Sequence, residues 1–110
     1  MIDSINNYCF LNCENLQTIE FVKNVQFFGA YVFVGCKTLT RIELLMSVSI
    51  PDGCFVNCSS LQEVVLNQNF PYISIGEKAF FNCTSLKTFN YNVIEVPAQA
   101  FAFSGLIFNI

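Results

Sequence analysis

The sequence predicts a β-rich solenoid, a right-handed superhelix of short parallel strands with little helix, forming one domain over residues 1–110. Three observations predict it. A seven-residue pattern recurs along the chain, apolar pairs follow each copy at the strand period of two, and no segment sustains a helical period. A single coil of about 22 residues cannot bury its own apolar face, but stacked coils pair their strands into parallel sheets about 4.8 Å apart and place like residues in ladders.

The first copy is Phe10-Leu11-Asn12-Cys13-Glu14-Asn15-Leu16, followed by Ile19 and Phe21 as an expected strand face. The second runs from Phe33 through Gly35 and Cys36 to Leu39, with Ile42 and Leu44 after it. Phe55, Asn57, Cys58 and Leu61 form the third copy, leading to Val64 and Leu66. Phe80, Asn82, Cys83 and Leu86 form the fourth, leading to Phe89 and Tyr91. The fifth, Phe101-Ala102-Phe103-Ser104-Gly105-Leu106, is one residue shorter and has no cysteine. A second apolar pulse, expected as a second short extended segment, follows each strand: Val25 and Phe28, Val48 and Ile50, Ile73 and Ile75, Ile94 and Val96. Pro51-Asp52-Gly53, Gly76-Glu77-Lys78 and Pro97-Ala98-Gln99 carry turn chemistry at one place in successive repeats. The spacing suggests about four to five coils marked by Leu16, Leu39, Leu61, Leu86 and Leu106, with a first repeat lacking its leading half.

Those leucines lie 23, 22, 25 and 20 residues apart, within the roughly 20–29 residues of leucine-rich repeats. The chain resembles the BspA-like leucine-rich repeat family over essentially its whole length. The resemblance is closest at Ala79-Phe80-Phe81-Asn82-Cys83-Thr84-Ser85-Leu86 and at Cys54-Phe55-Val56-Asn57-Cys58-Ser59-Ser60-Leu61. It implies a leucine-rich-repeat fold and a binding role. Family members include surface and secreted adhesins, so the resemblance suits a cell surface, and it brings no catalytic residues.

Composition narrows the function. Hydrophobic residues make up 54% of the chain and charged residues 12%, which excludes a disordered segment or a coiled coil. Mean hydropathy is +0.51, yet no run of 18 or more apolar residues suggests a membrane span. Met1-Ile2-Asp3-Ser4 has neither a cationic nor an apolar leader, so no secretory signal is expected there. Five basic against eight acidic residues speak against nucleic acid, whose phosphates need Lys and Arg. Histidine is absent, which removes imidazole bases, triads and imidazole-bound zinc. No catalytic residue, metal site or cofactor is therefore expected.

Six cysteines and 13 phenylalanines are the excesses. Cys13, Cys36, Cys58 and Cys83 recur at one position and read as a reduced, inward ladder, because stacked neighbours point the same way and do not converge for a disulfide. Cys9 and Cys54 stand where Val32, Ala79 and Ala100 stand elsewhere, an inward position for a small side chain. Persistent thiols suit a reducing compartment such as the cytoplasm, leaving the location open. Phe10, Phe33, Phe55, Phe80 and Phe101 read as the core spine.

The outward strand positions are the partner-binding candidates: Gln17, Thr18 and Glu20; Thr40, Arg41 and Glu43; Gln62, Glu63 and Val65; Lys87, Thr88 and Asn90. Glu20 and Glu43 occupy equivalent sites, but Val65 follows them, so the acids read as a solvated face relieved by Arg41. The partner expected is a protein. The uncharged C-terminal run, with Phe103, Leu106, Ile107, Phe108 and Ile110, is the candidate for self-association into a homo-oligomer, expected as a symmetric dimer. The alternative to a binding module is a structural solenoid that dimerises or polymerises through uncapped ends.

Overall fold

The computed structural model describes residues 4–19, 21–46, 49–89 and 91–106. Among the described residues it is built from short strands and turns, with one 3-10 helix at Phe21–Asn24. The strands are β1 (Ser4–Ile5), β2 (Phe27–Phe28), β3 (Arg41–Leu44), β4 (Ser49–Ile50), β5 (Glu63–Leu66) and β6 (Ser74–Ile75). All pairing is parallel and joins one repeat to the next: β1 with β2, β3 with β5 and β4 with β6. In the longest pair Arg41 stands opposite Glu63, Ile42 opposite Val64, Glu43 opposite Val65 and Leu44 opposite Leu66.

Between the strands the chain is a run of turns with a repeated backbone device. The residue two before each ladder phenylalanine has positive φ: Tyr8, Tyr31, Gly53, Lys78 and Gln99. So does the residue two after it: Asn12, Gly35, Asn57, Asn82 and Phe103. This explains the Asn or Gly of the motif, since those residues enter the left-handed region at least cost. At Gly53 a Cβ would also collide with the Tyr31 ring of the repeat before.

These left-handed residues turn N–H groups along the stack. The amides of Phe10, Phe33, Phe55 and Phe80 donate to the carbonyls of Val32, Cys54, Ala79 and Ala100 at 2.7–2.9 Å. The rings follow the backbone: five phenylalanines stack from Phe10 to Phe101, with centroids 5.3–5.4 Å apart and planes within 10°. Phe33, Phe55, Phe80, Leu39, Leu61 and Leu86 are fully buried.

Several sequence expectations shift. Residues 16–19 and 86–89 are not strands, so the expected four-strand face is a two-strand sheet of β3 and β5. After Leu16, Val22 and Val25 both enter the core from the 3-10 helix and the residue just past it, and their spacing of three displaces the period of two. Beyond β5, the Tyr91 hydroxyl takes the place of a neighbouring strand. It accepts from the Leu66 N–H at 3.0 Å and donates to the Val64 carbonyl at 3.3 Å. Ile94 and Val96, expected as the apolar pair of a second short extended segment, are exposed. The parallel bridge runs from Ile73 to Val93, a shift of one residue that reverses which side chains face the core. Ile5 in β1 precedes Phe10 by the same five residues that separate Phe28 from Phe33.

Candidate functional site

The outward face is set by strand alternation. In β3 and β5 alike, Ile42, Leu44, Val64 and Leu66 are buried, while Arg41, Glu43, Glu63 and Val65 are exposed or half-buried. Register then does what spacing within one repeat does not reveal. Arg41 Nε donates to Glu63 Oε1 at 2.9 Å, and Arg41 Nη1 donates to Glu43 Oε1 at 2.8 Å. Both carboxylates raise the pKa of the guanidinium, through the hydrogen bond to Glu43 first and that to Glu63 second. The cluster is solvent-facing, so it fixes a shape more than it adds stability.

Around it lie Thr40 and Gln62, both exposed, with Gln17 and Thr18 on one side and Lys87 and Thr88 on the other. The amide of Gln62 donates to the Thr40 carbonyl at 2.9 Å, tying two of these rows together. Glu20 and Asn90 lie outside the described residues. The sequence reading set Arg41 against Glu20 and Glu43 and missed its pairing with Glu63, although both residues stand two after their repeat's leucine. A shallow hollow of about 140 Å³ lies between Thr18, Lys23, Arg41 and Glu43.

The thiols have a different role. Cys36, Cys58 and Cys83 are buried, and each Sγ donates to the carbonyl of the preceding repeat's phenylalanine: Phe10, Phe33 and Phe55, at 3.0–3.1 Å. Burial pushes Cys36 up to about 11 and Cys83 up to about 12, with Cys54 and Cys58 raised further by the same cause. A protonated, enclosed thiol is a poor nucleophile. All six cysteines are free, but the ladder is incomplete at its start: Cys13 is half-buried and Cys9 exposed, where an inward position was expected. Val32, Cys54, Ala79 and Ala100 in the same column are fully covered, each with a repeat preceding it in the stack.

Of the self-association candidates, Phe103 is 73% exposed and Leu106 half-buried; Ile107, Phe108 and Ile110 lie outside the described residues. The last described layer is nevertheless well covered, Ala100 and Phe101 both being buried, with Phe89 packed against Phe101 at 5.3 Å. Phe10, Leu16 and Ile19 of the first layer are half-buried. Among the described residues, the first layer is therefore more exposed than the last. No described helix is long and apolar enough to cross a membrane.

No curated protein matches this chain. The family model for the BspA type leucine rich repeat region matches residues 1–107 in six copies, in agreement with the repeated phenylalanine, asparagine, cysteine and leucine columns seen in the fold. A match of this extent suggests a repeat that serves protein interaction and is generally not catalytic. The chain belongs to the BspA-type leucine-rich repeat family.

Proposed function

We propose that this chain is a non-catalytic protein-binding module, a single right-handed solenoid domain of about four to five coils whose outward strand face engages a protein partner. The observation that carries the reading is the Arg41 guanidinium held between Glu43 and Glu63 on the exposed side of β3 and β5. Pre-ordered side chains lose less entropy on binding than free ones do. Val65, half-exposed beside the cluster, adds the apolar contact that a protein surface supplies. An adhesin-like role at a cell surface fits this reading and rests on the family.

The test compares captured proteins for the wild type, for a strand-face variant (Arg41→Glu with Gln62→Lys), and for a variant at an exposed turn residue outside the strands (Lys37→Glu). A binding partner should be kept by the wild type and the turn variant and lost by the strand-face variant. Equal capture by all three overturns the reading. A second reading, self-assembly through the ends, is favoured by the exposure of Cys9 in the first layer.

A further inference from the structure

In a parallel pair each residue directs its N–H and C=O to one side, and the next residue directs them to the other. Single bonds fix which side is which here. The Glu63 amide donates to the Thr40 carbonyl, so Glu63 and Val65 of β5 face β3, and Thr40, Ile42 and Leu44 face β5 in return. Val64 and Leu66 face away from β3, and there the Tyr91 hydroxyl joins the Val64 carbonyl to the Leu66 amide. On β3 the residues that face away from its partner strand are Arg41 and Glu43. Their side chains reach solvent, while their backbone groups lie along the sheet edge next to residues 18–24.

That edge is open. The Thr40 amide donates to the Gln17 carbonyl at 3.5 Å, but beyond this point no strand pairing joins the two coils among the described residues, since Phe21–Asn24 winds into the 3-10 helix. The amides and carbonyls of Arg41 and Glu43 find no backbone partner among the described residues. A hollow of about 140 Å³ stands where a neighbouring strand would run, lined by Thr18, Ile19, Lys23, Arg41, Ile42 and Glu43. A carbonyl and the amide two residues on are thus joined by the chain's own hydroxyl at Val64 and Leu66, and left open at Arg41 and Glu43. The hollow has the size of one peptide unit. With a water's share of liquid near about 30 Å³, its 140 Å³ holds about five water-sized groups, the number of non-hydrogen atoms from one Cα to the next.

We propose that the open edge of β3 takes an extended segment of the protein partner as an added parallel strand, with one residue of that segment seated in the hollow between Arg41 and Glu43. The N–H of that residue donates to the Arg41 carbonyl, as Glu63 donates to Thr40 on the other edge, and its C=O accepts from the Glu43 amide. A carbonyl and an amide at this spacing match an extended backbone, whereas a purely apolar ligand leaves both unpaired. The edge is continuous with the cluster of Arg41, Glu43 and Glu63, so main chain and side chains offer one surface. The inference rests on the strand-face reading for the class of partner and adds what that partner presents.

The probe is acetyl-valine methylamide, which carries one residue's N–H and C=O, titrated into the isotopically labelled chain and followed by NMR amide shifts. Its ester analogue, with oxygen in place of the valine N–H, keeps the shape and loses the donor. Glu43→Pro removes the edge amide and leaves the groups that face β5, and proline is tolerated on a strand edge whose N–H points outward. Glu43→Ala keeps that amide and removes only the carboxylate. The amides of Thr18 and Lys23, across the hollow, should shift saturably with the probe in the wild type and in Glu43→Ala. Binding should be about tenfold weaker or more for the ester analogue and for Glu43→Pro, because each leaves a backbone group unpaired. No saturable shift in the wild type, equal affinity for probe and ester, or equal affinity of the Pro and Ala variants each overturns the proposal. If Glu43→Pro does not fold, the comparison of probe and ester on the wild type decides. Partner capture lost from Arg41→Glu with Gln62→Lys, together with no binding of the probe, leaves the strand-face reading standing and overturns this one. Probe binding with equal capture by every variant does the reverse.

Discussion

Cys36, Cys58 and Cys83 occupy sites where a small side chain must both fill space and donate to a phenylalanine carbonyl one layer back. That carbonyl also accepts an amide within its own repeat, as Phe33 O does from the Cys36 N–H at 3.2 Å, so the thiol uses its second lone pair. Thr38 and Ser85 do similar work two residues further on, their hydroxyls donating to the carbonyls of Leu16 and Ser59. The buried thiols give the fold a pH dependence of definite sign. Their pKa values lie above the ordinary value of 9.0, so the folded chain retains protons that the unfolded chain releases. Their contribution is complete below that ordinary value and is lost as pH rises through the folded values of about 11 to 12. We expect the urea midpoint to fall steadily above about pH 9, and Cys58→Ala to make that fall shallower. A midpoint that rises with alkali would contradict the burial of these groups.

Within the elements, alternation in β3 and β5 separates what holds the fold from what is offered outside. Leu61→Ala or Phe55→Ala removes a fully buried side chain between two layers and should cost about 2–5 kcal/mol. Gln62→Ala, on the exposed side next to Leu61, should change stability by no more than about 0.5 kcal/mol. Denaturant titration of the three variants measures the contrast, and equal effects would mean that the strand register is inverted. The sheet ends where it does because of the side chain of Tyr91. Its hydroxyl satisfies both the Leu66 amide and the Val64 carbonyl, a covered edge in place of a third strand. The 3-10 helix limits the other side, with Val22 and Val25 fully buried.

Across the whole molecule, stability should be greatest where layers are covered on both sides, as expected of units that interact mainly with their nearest neighbours. Hydrogen exchange in dilute solution should therefore find the amides of Phe33, Phe55 and Cys58 the slowest, and those of Phe10 and Cys13 markedly faster. Uniform protection along the stack would contradict this difference between the first described layer and the interior ones. The columns of Phe, Cys and Leu were legible in the sequence because every layer repeats one local environment, and a repeated environment selects a repeated residue type. The outward positions of β3 and β5 were legible for the same reason, through the period of two. What the first layer exposes was not, since Cys9 and Cys54 have equivalent sequence settings and differ only in whether another layer covers them. The Tyr91 edge and the shift from Ile94 to Val93 also follow from three-dimensional neighbours. A repeat pattern determines what each layer contains; only stacking decides which groups are left without a partner at an edge or an end.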